Sequence, residues 1–209
     1  TASSANRIAY TMKEPIGVVA AISAFNHPFN LAVHQVIPAI AVGCPVIIRP
    51  ATQTPMSAIK LVEILKEAGL PNGWAQAVVW DRNAGELLVT SPKTAFFTFI
   101  GSGPVGWYLN SKSSPGTRSA LEHGGVAPVI VEPDADIEAM IPDLVKGGFY
   151  HAGQVCVSVQ RIFVHESIAN TVASKIAEKA SKLVVGNQLD PKTEVGPLIN
   201  HNEVNRVEE

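Results

Sequence analysis

From Ile16 onward, short apolar runs without helical spacing take turns with segments whose apolar residues recur every three to four positions. Residues 16–22 read as a strand and 29–42 as a helix. A buried strand is expected at 45–49; Thr54 with Pro55 then opens a helix with Leu61, Ile64, Leu65 and Ala68 on its apolar face, which Gly69 ends. Val78 to Trp80 starts the next unit, followed by a short helix at 84–90, a strand at 95–100 and a helix at 103–110 entered through glycines. Two further strands are expected at Arg118–Glu122 and Val129–Val131. Parallel neighbours need a long return connection, and a helix supplies it. The succession therefore predicts an α/β chain with a doubly wound, mostly parallel sheet.

Beyond Pro133-Asp134-Ala135-Asp136 a longer helix runs toward Cys156, with Pro142 either kinking it or sitting in its first turn. Residues 161–164 read as a strand. Residues 168–184 read as a helix whose wet face carries Lys175, Glu178, Lys179 and Lys182. Gly196-Pro197-Leu198-Ile199 is a loop, and 203–209 begins a helix that stops without a cap.

Composition narrows the classes of function. At 209 residues, with 46% hydrophobic residues and a formal net charge of -2, the chain is expected to bury a sizeable core. Its sixteen lysines and arginines are scattered, which argues against capture of a nucleic acid. Cys44 and Cys156 lie far apart and outside metal-type spacing, which points to free thiols in a reducing compartment, the cytoplasm. No apolar run is long enough for a membrane helix, and the six histidines have no metal-ligand spacing. A small molecule is the expected partner.

Two residues suggest covalent chemistry. Cys156 closes the run His151-Ala152-Gly153-Gln154-Val155-Cys156, and Glu122 stands in Leu121-Glu122-His123-Gly124-Gly125. A thiolate captures and a carboxylate activates water for release. Gly101-Ser102-Gly103-Pro104-Val105-Gly106 has the spacing of a dinucleotide fingerprint after a strand and before a helix, although such fingerprints usually follow the first strand. By itself that segment is equally a glycine turn for close helix packing.

The ordered set Phe25-Asn26-His27-Pro28, Arg49-Pro50-Ala51-Thr52-Gln53-Thr54-Pro55, Phe99-Ile100-Gly101-Ser102-Gly103, Leu121-Glu122-His123-Gly124-Gly125 and Gly153-Gln154-Val155-Cys156 resembles the aldehyde dehydrogenase superfamily. Glu67-Ala68-Gly69-Leu70-Pro71 and Val195-Gly196-Pro197-Leu198 extend the resemblance along essentially the whole chain. It implies oxidation of an aldehyde to an acid with NAD or NADP. Cys156 would be the nucleophile, Asn26 with the Cys156 N–H the oxyanion donors, and Glu122 the group that activates water for thioester hydrolysis. Arg49, Thr52, Gly101, Ser102, Gly106, His123 and Gly124 would bind the cofactor. No metal is implied. A homo-oligomer, dimer or tetramer, is expected of the full-length protein.

The resemblance also implies an internal segment of a longer chain: part of an oligomerisation arm at 1–15, most of a NAD(P)-binding domain at 16–127, and the front of an α/β catalytic domain at 128–209. Four departures stand out. Arg49 replaces the usual lysine and keeps the positive charge as a planar fork. Thr52 stands where NAD-preferring members commonly carry a glutamate that repels a 2′-phosphate, so NADP should be accepted. Gly103-Pro104 replaces a common Thr-Glu, which shifts the expected helix start. His27 and His34 replace positions often aromatic and suit a polar or anionic aldehyde. Lactaldehyde-like, semialdehyde and phosphonate-bearing substrates remain open. Two further readings are kept: an inactive nucleotide-binding or interaction fragment, and a coenzyme-A-acylating semialdehyde dehydrogenase, which Glu122 disfavours.

Overall fold

The computed structural model describes residues 6–208, apart from the side chains of residues 82–84, so the first five residues of the expected arm and Glu209 of the last expected helix lie outside the described residues. The chain divides into two compact units, one formed by residues up to Ile100 with Trp107–Leu121, the other by Gly101–Gly106 with the residues from Glu122 on.

The chain up to Glu122 forms β1 (Val18–Ile22), α1 (Pro28–Ala41), β2 (Val46–Arg49), α2 (Met56–Glu67), β3 (Ala75–Ala77), α3 (Arg82–Thr90), β4 (Thr94–Ile100), α4 (Gly103–Lys112) and β5 (Arg118–Glu122), all in the first unit except the start of α4 up to Gly106 and the last residue of β5, Glu122. The five strands lie in the order β3-β2-β1-β4-β5. Strand β1 runs parallel to β2 and to β4, and β2 runs parallel to β3. This is the doubly wound arrangement expected from the alternation. Chain progression reverses between β1 and β4, the kind of place where open α/β sheets take ligands beyond the strands' carboxyl ends.

Both faces of the sheet are covered, so its central strands read as unbroken apolar runs. On one face Val19, Ala21, Val46 and Ile48 pack with Ala32, Val36 and Ala39 of α1 and Ala58, Leu61 and Val62 of α2. Cys44 joins this core, 1% exposed. Helix α3 lies on the opposite face, where a Cβ on Gly85 would sit 3.8 Å from Ile22 Cδ1 and 3.3 Å from Arg49 Cδ. A methyl group there would press on the Arg49 stem, which would have to give by a few tenths of an ångström.

Two expectations shift here. The strand expected to open at Val78 lies at Ala75–Ala77, because Val46 N–H donates to Trp74 O and Val78 N–H to Ile48 O, which fixes the register of β3 on β2. Within α2 the buried set is Ala58, Leu61 and Val62, while Ile64 is exposed and Leu65 half-buried.

In the second unit β6 (Val129–Val131) pairs in parallel with β7 (Ile162–Val164), while β5 belongs to the five-stranded sheet. Helix α5 (Ile137–Phe149) begins at Asp136, whose carboxylate accepts from Ala139 N–H at 3.1 Å. Pro142 lies inside α5, past its first turn. Helix α6 (Ala169–Ala180) stops before Leu183 and Val184, shorter than its apolar spacing suggested. Ile141, Val145 and Val172 form the core between these helices, with Met140, Ile168 and Ile176 packed against it. The last helix, α7 (His201–Glu208), follows a loop through Pro197. Among the described residues no helix is long and apolar enough to cross a membrane.

Candidate active site

Cys156 sits outside regular structure because the chain breaks sharply before it. Helix α5 ends at Phe149, and His151, Ala152 and Gly153 follow with φ of 55°, 56° and 73°. Left-handed backbone suits the glycine but costs a side-chain-bearing residue about 1–2 kcal/mol. Two consecutive non-glycine residues therefore hold strain at this bend, as functional loops often do. Ser158 N–H donates to Val155 O at 3.1 Å, closing a β-turn with Cys156 at its second position. The Cys156 side chain is exposed.

Bonds on both sides fix that turn. Upstream, Gln154 Nε2 donates to His151 O at 3.0 Å, and its Oε1 accepts from Ile199 N–H at 2.9 Å. Downstream, buried Ser158 donates through Oγ to Gly148 O at 3.3 Å, and Val159 N–H donates to Gly147 O at 3.0 Å. The thiol is thus held out to solvent by a loop anchored to the end of α5 and to the loop through Pro197.

Glu122 ends β5 and is exposed. Its carbonyl accepts from Gly101 N–H at 3.0 Å, and the His123 ring Nδ1 lies 3.4 Å from Gly101 O. The glutamate turn and the start of the glycine segment are therefore one local structure, with Ser102 exposed and Gly106 buried inside α4. A Cβ on Gly125 would lie 3.8 Å from Cys156 O, so this turn also rests on the nucleophile loop. Gln160 adds to the contact: its N–H donates to Val126 O and its Nε2 to Gly125 O, both at 3.0 Å. In the second unit the structure thus brings Glu122, His123, Gly124, Gly101 and Cys156 into one loop cluster.

Asn26, Arg49 and Thr52 belong to the first unit. Asn26 follows β1 on a half-buried bend; its Oδ1 accepts from His27 N–H at 3.1 Å, and Thr54 Oγ1 donates to the neighbouring Phe25 O at 3.3 Å. Arg49 ends β2 opposite Ile22, and its Nη2 donates to Trp80 O at 3.2 Å. Thr52 is exposed in the loop that follows. A cavity of about 350 Å³ in this unit is lined by Ile16, His34, Gln35, Pro38, Val42 and Phe96 among others, a lining that does not include Asn26, Arg49 or Thr52. Among the described residues no cluster of His, Cys, Asp or Glu is arranged to hold a metal ion.

Gln160 was not singled out by sequence reasoning, and Gly125 entered it only as the last residue of the glutamate motif, with no role of its own. Their partnership spans 35 residues and only the fold makes it visible.

Comparison with known proteins extends the picture. A sequence model of the aldehyde dehydrogenase family matches residues 1–209. The chain is 46% identical over 208 residues to a 3-sulfolactaldehyde dehydrogenase of Priestia aryabhattai, covering 99% of the chain and 43% of that protein. It is 41% identical to a lactaldehyde dehydrogenase of Methanococcus vannielii, covering all of the chain and 46% of that protein. Among solved structures, the glyceraldehyde-3-phosphate dehydrogenase GapN of Methanocaldococcus jannaschii, complexed with NADP, superposes with a TM-score of 0.89 at 40% identity, over 93% of this chain and 44% of that one. The chain thus spans less than half the length of these relatives. A match over every residue, joined to the same fold at this level of identity, means that the chain belongs to the aldehyde dehydrogenase family.

Proposed function

We propose that this chain carries the nucleophile and part of the cofactor site of an enzyme that oxidises a short aldehyde to its acid with NADP or NAD. One observation carries the reading: in a chain of this family, the exposed thiol of Cys156 stands on an anchored turn against which the Glu122 turn rests. The Cys156 thiolate attacks the aldehyde carbon and forms an S–C bond. The resulting oxyanion takes hydrogen bonds from the Asn26 amide and the Cys156 N–H; removing one such donor typically slows a reaction by about 10²–10³-fold. A nicotinamide held by the residues assigned below would supply the hydride acceptor that turns this Cys156 adduct into a thioester. Glu122 then draws a proton from water, the water oxygen bonds to the acyl carbon, the C–S bond breaks, and the acid departs from a regenerated thiolate.

Arg49 and Thr52, and in the second unit Gly101, Ser102, Gly106, His123 and Gly124, are the residues we assign to the cofactor. Their fit is supported by the reversal of strand order between β1 and β4, by the cation fixed at the end of β2, and by a helix that starts at Gly103 with amides suited to phosphate oxygens. Thr52 offers an exposed neutral side chain, which sets no charge against a 2′-phosphate. On the same reading, 1–15 belong to an oligomerisation arm, 16–127 to the cofactor domain and 128–209 to the catalytic domain. The intact protein is then a cytoplasmic dimer or tetramer.

The three relatives are named for 3-sulfolactaldehyde, lactaldehyde and glyceraldehyde 3-phosphate, all of which carry a hydroxyl beside the aldehyde carbon. We infer a short 2-hydroxyaldehyde as substrate. The test is a panel of these aldehydes and betaine aldehyde on the intact protein, with NAD and NADP and with and without coenzyme A. The expected result is acid formation from 2-hydroxyaldehydes with NADP turned over, independent of coenzyme A, and lost in Cys156→Ser. Turnover that requires coenzyme A would favour the acyl-transferring reading, and no turnover with any aldehyde would favour an inactive module.

A further inference from the structure

The nucleophile loop and the glutamate turn are anchored unequally. The turn bearing Cys156 is closed by Ser158 N–H on Val155 O and held by Ser158 Oγ, by Val159 N–H and by both ends of the Gln154 amide. None of these bonds uses the side chain of Gln160. The Glu122 turn is held to Gly101 through Glu122 O and the His123 ring, but on its downstream side it runs into Gly124-Gly125, two residues with the widest backbone freedom in the chain's repertoire. Past that pair, backbone bonds resume: Gln160 N–H to Val126 O, then Val129 N–H to Arg161 O at the start of the β6–β7 pair. The Gln160 Nε2 bond to Gly125 O reaches one residue further toward Glu122. Gly125 is also the point where the turn meets the carbonyl of Cys156.

Building on the catalytic roles given above, we propose that Gln160 is a positioning residue that fixes the glutamate turn against the nucleophile loop, and that it serves thioester hydrolysis rather than thiol attack. Without its donor, the Gly124-Gly125 hinge is released while the Cys156 turn keeps its own anchors. Glu122 then holds the attacking water in the correct place for a smaller fraction of the time. The first half of the reaction needs no water, so it proceeds as before.

The experiment uses the intact protein with Gln160→Met, which keeps the length of the side chain but removes the donor, and Gln160→Glu, which sets an acceptor against the Gly125 carbonyl. Three rates are measured: alkylation of Cys156 by iodoacetamide, formation of reduced nicotinamide in the first turnover, and steady-state turnover. Alkylation and first turnover should stay within about 2-fold of the parent in both variants, since neither depends on the transition state for hydrolysis. Steady-state turnover should fall about 10-fold or more, toward the ~10²-fold that an ångström of misplacement costs. Reduced nicotinamide should then appear as a burst near one equivalent per site. Unchanged steady-state turnover in both variants overturns the proposal. So does an equal fall in all three rates, which would mean general disruption of the loop. A parent that forms no reduced nicotinamide with any aldehyde, or a Cys156→Ser variant as active as the parent, overturns the catalytic reading itself and this inference with it.

Discussion

Ala152 is the residue at which local energetics and the candidate chemistry meet most closely. Its φ of 56°, next to His151 at 55°, is unfavourable for a side chain and turns the chain out of α5 toward Cys156. Replacement by glycine relieves the clash at the cost of a more flexible unfolded chain. Ala152→Gly should therefore raise stability by about 1 kcal/mol, read as a higher denaturation midpoint at an unchanged slope. A lower midpoint would mean that the conformation is not strained. The motifs around Cys156, Glu122 and Asn26, on which their proposed roles rest, were legible because each is a short run with distinctive neighbours. The left-handed pair was not, since alanine carries no left-handed preference and histidine only a modest one, and the bonds at Gln154 and Ser158 that flank the bend join residues distant in sequence. Gln160 was illegible for a related reason: its role depends on which carbonyl lies opposite.

Among the elements, β2 is the one on which the first unit most depends. It lies between β1 and β3, and Ile48 is 0% exposed within the core shared by α1 and α2. Ile48→Ala should cost about 2–5 kcal/mol, the range for a large apolar side chain removed from a packed interior. Chemical denaturation followed by circular dichroism checks this; a loss below about 1 kcal/mol would mean that the core collapses around the gap. Long apolar runs made β1, β2 and β4 readable in the sequence. β3 was displaced in that reading because Ala75-Gln76-Ala77 carries little apolar signal, whereas the more apolar Val78-Val79-Trp80 lies just past its end. Helix α6 was read too long because Leu183 continues the apolar spacing, and Leu183 does pack on the same core from beyond the helix end.

For the molecule as a whole, the sequence conveyed the parallel sheet and the family, since both rest on patterns spread over many residues. The partition into two units was less visible: the segment Gly101–Gly106 groups with the residues that follow Glu122, joined through Gly101 and His123, although it lies inside a run of the first unit. Within the family the central claim is that Cys156 captures the aldehyde and Glu122 releases it. Trapping the captured state tests this most directly. The intact protein carrying Glu122→Gln is mixed with a 2-hydroxyaldehyde and NADP, quenched in acid and mapped by peptide mass spectrometry. The account predicts an acyl group on the peptide containing Cys156, with about one reduced nicotinamide formed per site before turnover stalls. An unmodified Cys156 peptide with turnover at the parental rate would contradict it.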